Sequence, residues 1–425
     1  MAGSTVAHEG DASRAAHWCG DVVVVLGSRR EAISLAPLIR VMSSSPRWNV
    51  SVVTTSGGGA TLTRTLETLE VVATEDVAIE IPGLSVETLI GRAIERTHAL
   101  VSRRRPHALI VEGESTTVLG ASLAAFHEGV LVAHVCSTSL APHARATGAG
   151  AITAMNARVI AQLAHLHFVP GAAMSTSLLH HGVDPHGIVI VGSPAIDNLR
   201  WILRNKPGRS QFASPKRHIF VVLRQSESVT MASDIVTKVT ARLASAADVE
   251  IVVPMRHRLL VRSLVEGRLG TLARVRLTGD LDYRDYVATL EGADLVLTDS
   301  PSVQAEAQAL RKPCVRTSDE AFDGDENSVS HARDDAEGGP VARDVVARDL
   351  AERVESVFAT SRRLLDDGEY TVDAAATHES GLGGLAAHSM ELRLRAELED
   401  RLRSGGRRGA SLGAAPGTRD NGRVR

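Results

Sequence analysis

The chain has 425 residues, enough for two ordinary domains, with 44% hydrophobic and 23% charged residues and a formal net charge of −3. That balance fits a globular protein and offers no basic field to a nucleic-acid polymer, while 3% aromatics leave few rings for stacking a single strand. No apolar run approaches the ~20 residues of a bilayer span. Residues 1–20 lack the basic start and apolar core of a secretion signal, so a cytoplasmic protein without a membrane partner is expected. Cys19, Cys136 and Cys314 are few, odd in number and far apart. They argue against a disulfide framework and against a paired Cys-x-x-Cys zinc site, and no metal site is expected.

Residues 1–19 are small and polar and read as a disordered tail. Strand and helix patterns then alternate. Strands are expected over 22–26, 50–54, 108–111, 130–135, 165–170 and 188–191, and helices over 31–42, 84–102, 117–127 and 151–163. Residues 205–215 turn to Lys, Pro, Gly and Ser and read as a linker between an N-terminal domain over 20–204 and a C-terminal one over 216–386. In the latter, strands are expected over 219–223, 250–253, 274–277, 295–297 and 314–316. Helices are expected over 232–244 and 303–310 and through most of 341–365, and 318–339 reads as a flexible acidic loop. A charged amphipathic helix over 387–403 and a Gly/Arg-rich disordered tail over 404–425 close the chain. The fold class is α/β, two Rossmann-like domains with parallel sheets covered on both faces.

The most informative stretch is Gly27-Ser-Arg-Arg-Glu-Ala-Ile-Ser34, directly after the apolar run 22–26. A glycine turn between strand and helix is how a parallel α/β fold starts a ligand-binding loop. Arg29 and Arg30 at that turn point to an anionic group, phosphate above all. The segment resembles the Gly-Thr-Arg-Pro-Glu-Ala-Ile-Lys opening of the non-hydrolysing UDP-N-acetylglucosamine 2-epimerases. Val111-Glu-Gly-Glu-Ser-Thr-Thr117 resembles that family's His-Gly-Asp-Thr-Thr-Thr loop, and Met155-Asn-Ala-Arg158 and Leu166-His-Phe-Val-Pro170 its Met-Asn-Arg-Arg and Leu-His-Phe-Ala-Pro segments. Val191-Gly-Ser-Pro-Ala-Ile-Asp197 and Leu281-Asp-Tyr-Arg-Asp-Tyr-Val287 extend the likeness, which runs over roughly residues 21–400. It implies the GT-B architecture of two Rossmann-like domains, a ligand in the interdomain cleft, and a homodimer.

The resemblance also implies five proton-transfer residues, and most are replaced. The lysine is Ser34 and the aspartate Glu114. One glutamate is Cys136, the other falls in Ile152-Thr-Ala154, and the histidine is Arg224. Inverting carbon 2 of the sugar needs a base on one face and an acid on the other. With one carboxylate left, Glu114, epimerisation is not expected. The phosphate-binding expectation covers Arg29, Arg30, Arg224, Arg256, Arg258, Ser300 and Ser302, with Pro301 lacking an N–H donor. The resemblance assigns Glu306 to the nucleotide ribose and places Tyr286 near the base, and Gln304 joins them as a nucleotide- or base-binding candidate. Ser34, Cys136, His143, Arg145 and Glu227 are candidate substrate contacts, and His134 and His167 read as core histidines.

Three functions fit these residues. The first is glycosyl transfer. The anomeric C–O bond of a (di)phosphate-activated sugar is cleaved and the sugar joined to a small-molecule acceptor such as a purine base, in a setting resembling nucleoside-antibiotic assembly. Mg²⁺ would enter only as the companion of a diphosphate. The second is a UDP-N-acetylglucosamine 2-epimerase with relocated catalytic groups. The third is a pseudoenzyme that binds a sugar nucleotide.

Overall fold

The computed structural model describes residues 20–56, 59–80, 83–136, 149–223, 231–246, 248–255, 259–317, 354–366 and 385–409. Among them no helix is long and apolar enough to cross a membrane. Contacts divide the chain into two units. The first comprises Met1–Leu66, Glu70–Pro194 and Leu385–Arg425, and the second Glu67–Leu69 and Ala195–Gly384.

The first unit is built on a 7-stranded sheet of order β3-β2-β1-β4-β5-β6-β7. Its strands are β1 (Gly20–Leu26), β2 (Trp48–Thr54), β3 (Glu75–Asp76), β4 (Ala108–Glu112), β5 (Leu131–Val135), β6 (Leu166–Val169) and β7 (Ile188–Ile190), and every pairing is parallel. β1, β4 and β5 are nearly continuous apolar runs because helices bury both faces of the sheet. The helices are α1 (Arg29–Ser43), α2 (Ala60–Thr68), α3 (Val86–Arg104), α4 (Thr116–His127), α5 (Ala149–Leu163) and α6 (Ala172–His180). α3 and α4 approach closely at Gly120, where an added Cβ would stand 2.4 Å from that of Ala93. Strand order reverses between β1 and β4, which makes their carboxyl ends the crevice where such a sheet binds ligands.

The second unit starts with α7 (Pro194–Asn205). Its 5-stranded sheet has order β10-β9-β8-β11-β12, again parallel throughout. The strands are β8 (Arg217–Val222), β9 (Val249–Pro254), β10 (Val275–Thr278), β11 (Leu295–Thr298) and β12 (Cys314–Arg316). The helices that follow α7 are α8 (Met231–Leu243), α9 (Leu259–Leu269), α10 (Tyr283–Glu291), α11 (Pro301–Ala309) and α12, residues 354–366. Val354 and Leu365 of α12 join a core of Ile219, Val221, Val239, Ile251 and Leu297.

Two segments bear on the expected domain bounds. The segment read as a linker is tied to the second unit: Arg209 N–H donates to Asp285 (2.8 Å), Gln211 N–H to Thr289 Oγ1 (3.1 Å) and Ser214 N–H to Glu250 (2.9 Å). Phe212 stacks on His218 with centroids 4.2 Å apart. The final helix, α13 (Ala386–Gly409), groups with the first unit and packs on α1. Met390, Leu394 and Leu398 repeat every fourth residue and are buried, and Trp48 Nε1–H donates to Glu391 at 2.9 Å. The part of 341–365 before residue 354 and the loop 318–339 lie outside the described residues.

Candidate active site

Gly27 leaves β1 in a place where any side chain would force its neighbours to shift. A Cβ there would lie 2.6 Å from both Glu80 Oε1 and Thr55 Oγ1. Ser28 then caps α1 in extended geometry, accepting from Glu31 N–H, while Glu31 turns back to accept from the Gly27 and Ser28 N–H groups. This capping box satisfies donors that a helix start leaves open. It also buries Glu31. Burial first, and then the neighbouring Glu112, push the Glu31 carboxyl up to about 8 against the pull of those two N–H groups.

β4 delivers two more carboxylates. Glu112 ends the strand, Gly113 turns in the left-handed region (φ +81°), and Glu114 precedes Ser115, which caps α4 by accepting from Val118 N–H at 3.2 Å. Both glutamates are buried, at 1% and 7% exposure. Arg30, half exposed, bridges them: Nη2 lies 3.4 Å from Glu112 and 3.6 Å from Glu114. Glu112, with Glu114 and Glu31 behind it, holds the guanidinium firmly protonated against its own desolvation. Glu80 completes the group, accepting from Thr55 Oγ1 (3.2 Å) and Thr117 Oγ1 (3.0 Å). Asn156 of α5 donates to the Glu114 carbonyl at 3.1 Å. Glu31, Glu80, Glu112 and Glu114 thus gather at the strand-order reversal with Arg30 among them. Glu31, raised to about 8, is protonated near neutrality, so the group holds a carboxylic acid among three further carboxyl side chains, the residue types of general acid–base chemistry.

The sequence-derived candidates divide accordingly. Arg29 and Arg30 do open α1, but Arg30 faces carboxylates. Ser34 is buried on α1. Cys136 is buried just past β5 against His134 and His167, with Sγ 3.4 Å and 3.9 Å from their Nδ1 atoms. Burial, then Glu114 and Glu112, push this thiol up, so it stays protonated. Burial lowers His134 to about 4 and His167 to about 3, leaving both rings neutral. Arg224, Glu227, Arg256, Arg258, His143 and Arg145 lie outside the described residues. Sequence reasoning passed over Glu31, Glu80 and Glu112. The Glu-Gly-Glu pattern at 112–114, with two carboxylates one residue apart after a buried strand, was a readable signal for the last of these.

In the second unit the equivalent reversal falls between β8 and β11. Thr298 Oγ1 donates to the Val222 carbonyl (2.6 Å) and accepts from Ser300 N–H (3.0 Å), fixing the turn into α11. Ser300 and Ser302 hydroxyls are 3.0 Å apart at that helix start, and Pro301 takes the first helical position. Tyr286 O–H donates to Glu306 at 2.6 Å, so two residues assigned to the nucleotide already form one pair. Gln304 lies on α11 between Ser302 and Glu306.

Comparison with known proteins agrees with this architecture. The UDP-N-acetylglucosamine 2-epimerase of Escherichia coli (strain K12) is 28% identical over 391 residues, 87% of this chain and 97% of its own length. The crystal structure of UDP-GlcNAc 2-epimerase from Neisseria meningitidis bound to UDP-GlcNAc matches with a TM-score of 0.71 at 20% identity, covering 88% of this chain and 100% of that one. The glycotransferase of kitacinnamycin matches with a TM-score of 0.53 at 15% identity, covering 90% and 99%. The family described as UDP-N-acetylglucosamine 2-epimerase matches residues 43–329, and the chain belongs to that family.

Proposed function

We propose that this family member is a glycosyl-transfer enzyme rather than an epimerase. In this reading it acts on a phosphate- or diphosphate-activated sugar and passes the glycosyl group to an acceptor nitrogen, such as that of a purine base. The anomeric C–O bond breaks with its electron pair leaving on the phosphate. The acceptor nitrogen supplies the pair for the new C–N bond, and its proton goes to the Glu114 carboxylate. The observation that carries the reading is the Glu112–Arg30–Glu114 group, two buried glutamates bridged by a half-exposed arginine, in a chain where the lysine and glutamate partners expected for carbon-2 chemistry are replaced by Ser34 and Cys136. The second of those is a thiol held protonated by burial and by Glu114. A carboxylate beside a fixed arginine suits an N–H acceptor and a departing anion. That a protein named as a glycotransferase shares the fold at 15% identity shows only that the fold is not confined to one activity.

A second reading, epimerisation with relocated groups, draws on the relatives named as epimerases and on Glu31, which offers an acid near neutrality close to Glu112. One experiment separates the two. The full chain is incubated in D₂O with UDP-GlcNAc, and in parallel with phosphoribosyl diphosphate with and without adenine. Glycosyl transfer predicts no deuterium at carbon 2 and phosphate or diphosphate release that depends on the base. Carbon-2 exchange at ordinary enzyme rates would establish the epimerase instead.

A further inference from the structure

β5 and β6 pair in parallel with His134 opposite His167, so both rings leave the same face of the sheet, and Cys136, two residues beyond His134, shares that face. All three are buried: His167 at 0%, His134 at 4% and Cys136 at 6% exposure. His134 Nε2–H donates to the Gly113 carbonyl at 2.9 Å, which leaves Nδ1 as a bare lone pair 3.4 Å from the Cys136 sulfur. His167 Nε2 makes no hydrogen bond of ordinary length, although the Ala164 and Ala161 carbonyls act on the ring. Its Nδ1 lies 3.9 Å from the same sulfur.

The hydrogen count is what does not close. Cys136 has one S–H between two imidazole Nδ1 atoms: with the His167 proton on Nε2 one Nδ1 lone pair has no donor, and with it on Nδ1 the unpartnered Nε2 lone pair has none, so either tautomer leaves one lone pair unsatisfied in a water-excluded place. A cation satisfies all three groups at once. The three candidate ligand atoms lie within 4.8 Å of one another. With zinc–ligand bonds of about 2.0–2.3 Å, tetrahedral ligands stand about 3.3–3.8 Å apart, close to the two sulfur–nitrogen distances found here. His134 carries the outer hydrogen bond to a backbone carbonyl that orients a ligating imidazole.

We propose that His134 Nδ1, Cys136 Sγ and His167 Nδ1 form a site for a borderline-soft divalent cation, zinc foremost. Thiolate and imidazole donors select zinc over magnesium or calcium. Binding converts the Cys136 thiol to thiolate with release of its proton, and a tetrahedral cation would have a fourth position that these three side chains do not fill. Three protein ligands leave a net positive site beside the Glu114 and Glu112 carboxylates, which act on Cys136. The site is independent of the glycosyl-transfer reading, since it needs no substrate.

The test uses the full chain stripped with a chelator and titrated with Zn²⁺ or Co²⁺. The expected result is about one bound metal per chain. The cobalt form should show the intense sulfur-to-metal charge-transfer absorption of a thiolate and the visible bands of a tetrahedral site. Cys136→Ala should abolish the charge-transfer band. Affinity should fall by more than the about 10–100-fold that loss of an outer-shell partner costs. His167→Gln should weaken binding similarly, with far-ultraviolet circular dichroism checking the fold. A wild-type chain that takes up no metal, or binds cobalt without the charge-transfer band, overturns the proposal without recourse to any variant. Uptake undiminished in Cys136→Ala overturns it equally.

Discussion

Glu31 offers the sharpest physical test, because one carboxyl both caps a helix and resists ionisation. Its carboxyl stands at about 8 in the folded chain against 4.5 in the unfolded one, chiefly through burial and then through Glu112. The sign follows from linkage. A group whose folded value is raised binds its proton more tightly when folded. Its stabilising effect is therefore complete below the unfolded value and is lost as pH rises through the folded one. At about 1.4 kcal/mol per unit the displacement corresponds to about 5 kcal/mol. Coupling to Glu112 and Glu80 makes that a ceiling, and about half is a fair expectation. Glu31→Gln keeps an acceptor for the Gly27 and Ser28 N–H groups, since glutamine serves at the third position of a capping box. It cannot ionise. Below about pH 5 the variant should match wild type within about 1 kcal/mol, and by about pH 9 it should be the more stable by about 2–3 kcal/mol. Urea unfolding across that range measures the difference. His134 and His167 titrate below neutrality and cancel in it, because both proteins carry them. Parallel pH profiles for the two proteins would refute the argument, showing that Glu31 ionises without penalty.

Three further outcomes rest on single contacts. Gly27→Ala sets a methyl 2.6 Å from Glu80 Oε1 and Thr55 Oγ1, and should lower unfolding stability by about 1–3 kcal/mol in urea titration. Trp48→Phe leaves the Glu391 carboxylate, 9% exposed, without the indole donor, at a cost of about 1–3 kcal/mol. The loosened α13 should then be cut earlier in limited proteolysis, whereas Glu391→Gln, which keeps an acceptor, should be the milder change. Tyr286→Phe frees Glu306 from its 2.6 Å hydrogen bond, and UDP binding by calorimetry should weaken about 5-fold, the equivalent of about 1 kcal/mol. Unchanged affinity would remove the pair from nucleotide binding.

The central strands were legible because a parallel strand buried on both faces has to be apolar throughout, as in Val22–Leu26 and Ala108–Val111. What escaped has equally physical causes. β3 is the two-residue edge Glu75–Asp76, too short and polar for any periodicity. α6 reads Ala-Ala-Met-Ser-Thr-Ser-Leu-Leu-His, whose small polar residues look like a loop until Met174 and Leu178 are seen buried one turn apart. α7 and α10 were absorbed into sequence motifs and passed over as helices, although Asp282 caps α10 by accepting from Asp285 N–H at 3.0 Å.

The site was legible one residue at a time and not as a group. Glu31 reads as a cap, Glu80 as a loop residue and Glu112 as a strand end. They meet only because β1 lies between β2 and β4, a fact of topology. The same holds for His134 and His167, which parallel register sets side by side. Topology also explains why two departures from the family pattern belong together. Arg30 stands where the resemblance has proline, and Glu112 where it has histidine. Taken alone, the arginine looks like a phosphate ligand and the glutamate like a buried charge that should not be there. Placed 3.4 Å apart across the reversal, each supplies what the other lacks. Arg30 gives a carboxylate at 1% exposure its counter-charge, and Glu112 fixes a half-exposed guanidinium that solvent would otherwise leave mobile. A substitution at either position removes this ion pair from the other. The two departures are therefore one paired change in charge, and it lies beside Glu114, which Arg30 also reaches at 3.6 Å and which stands where the resemblance has its aspartate.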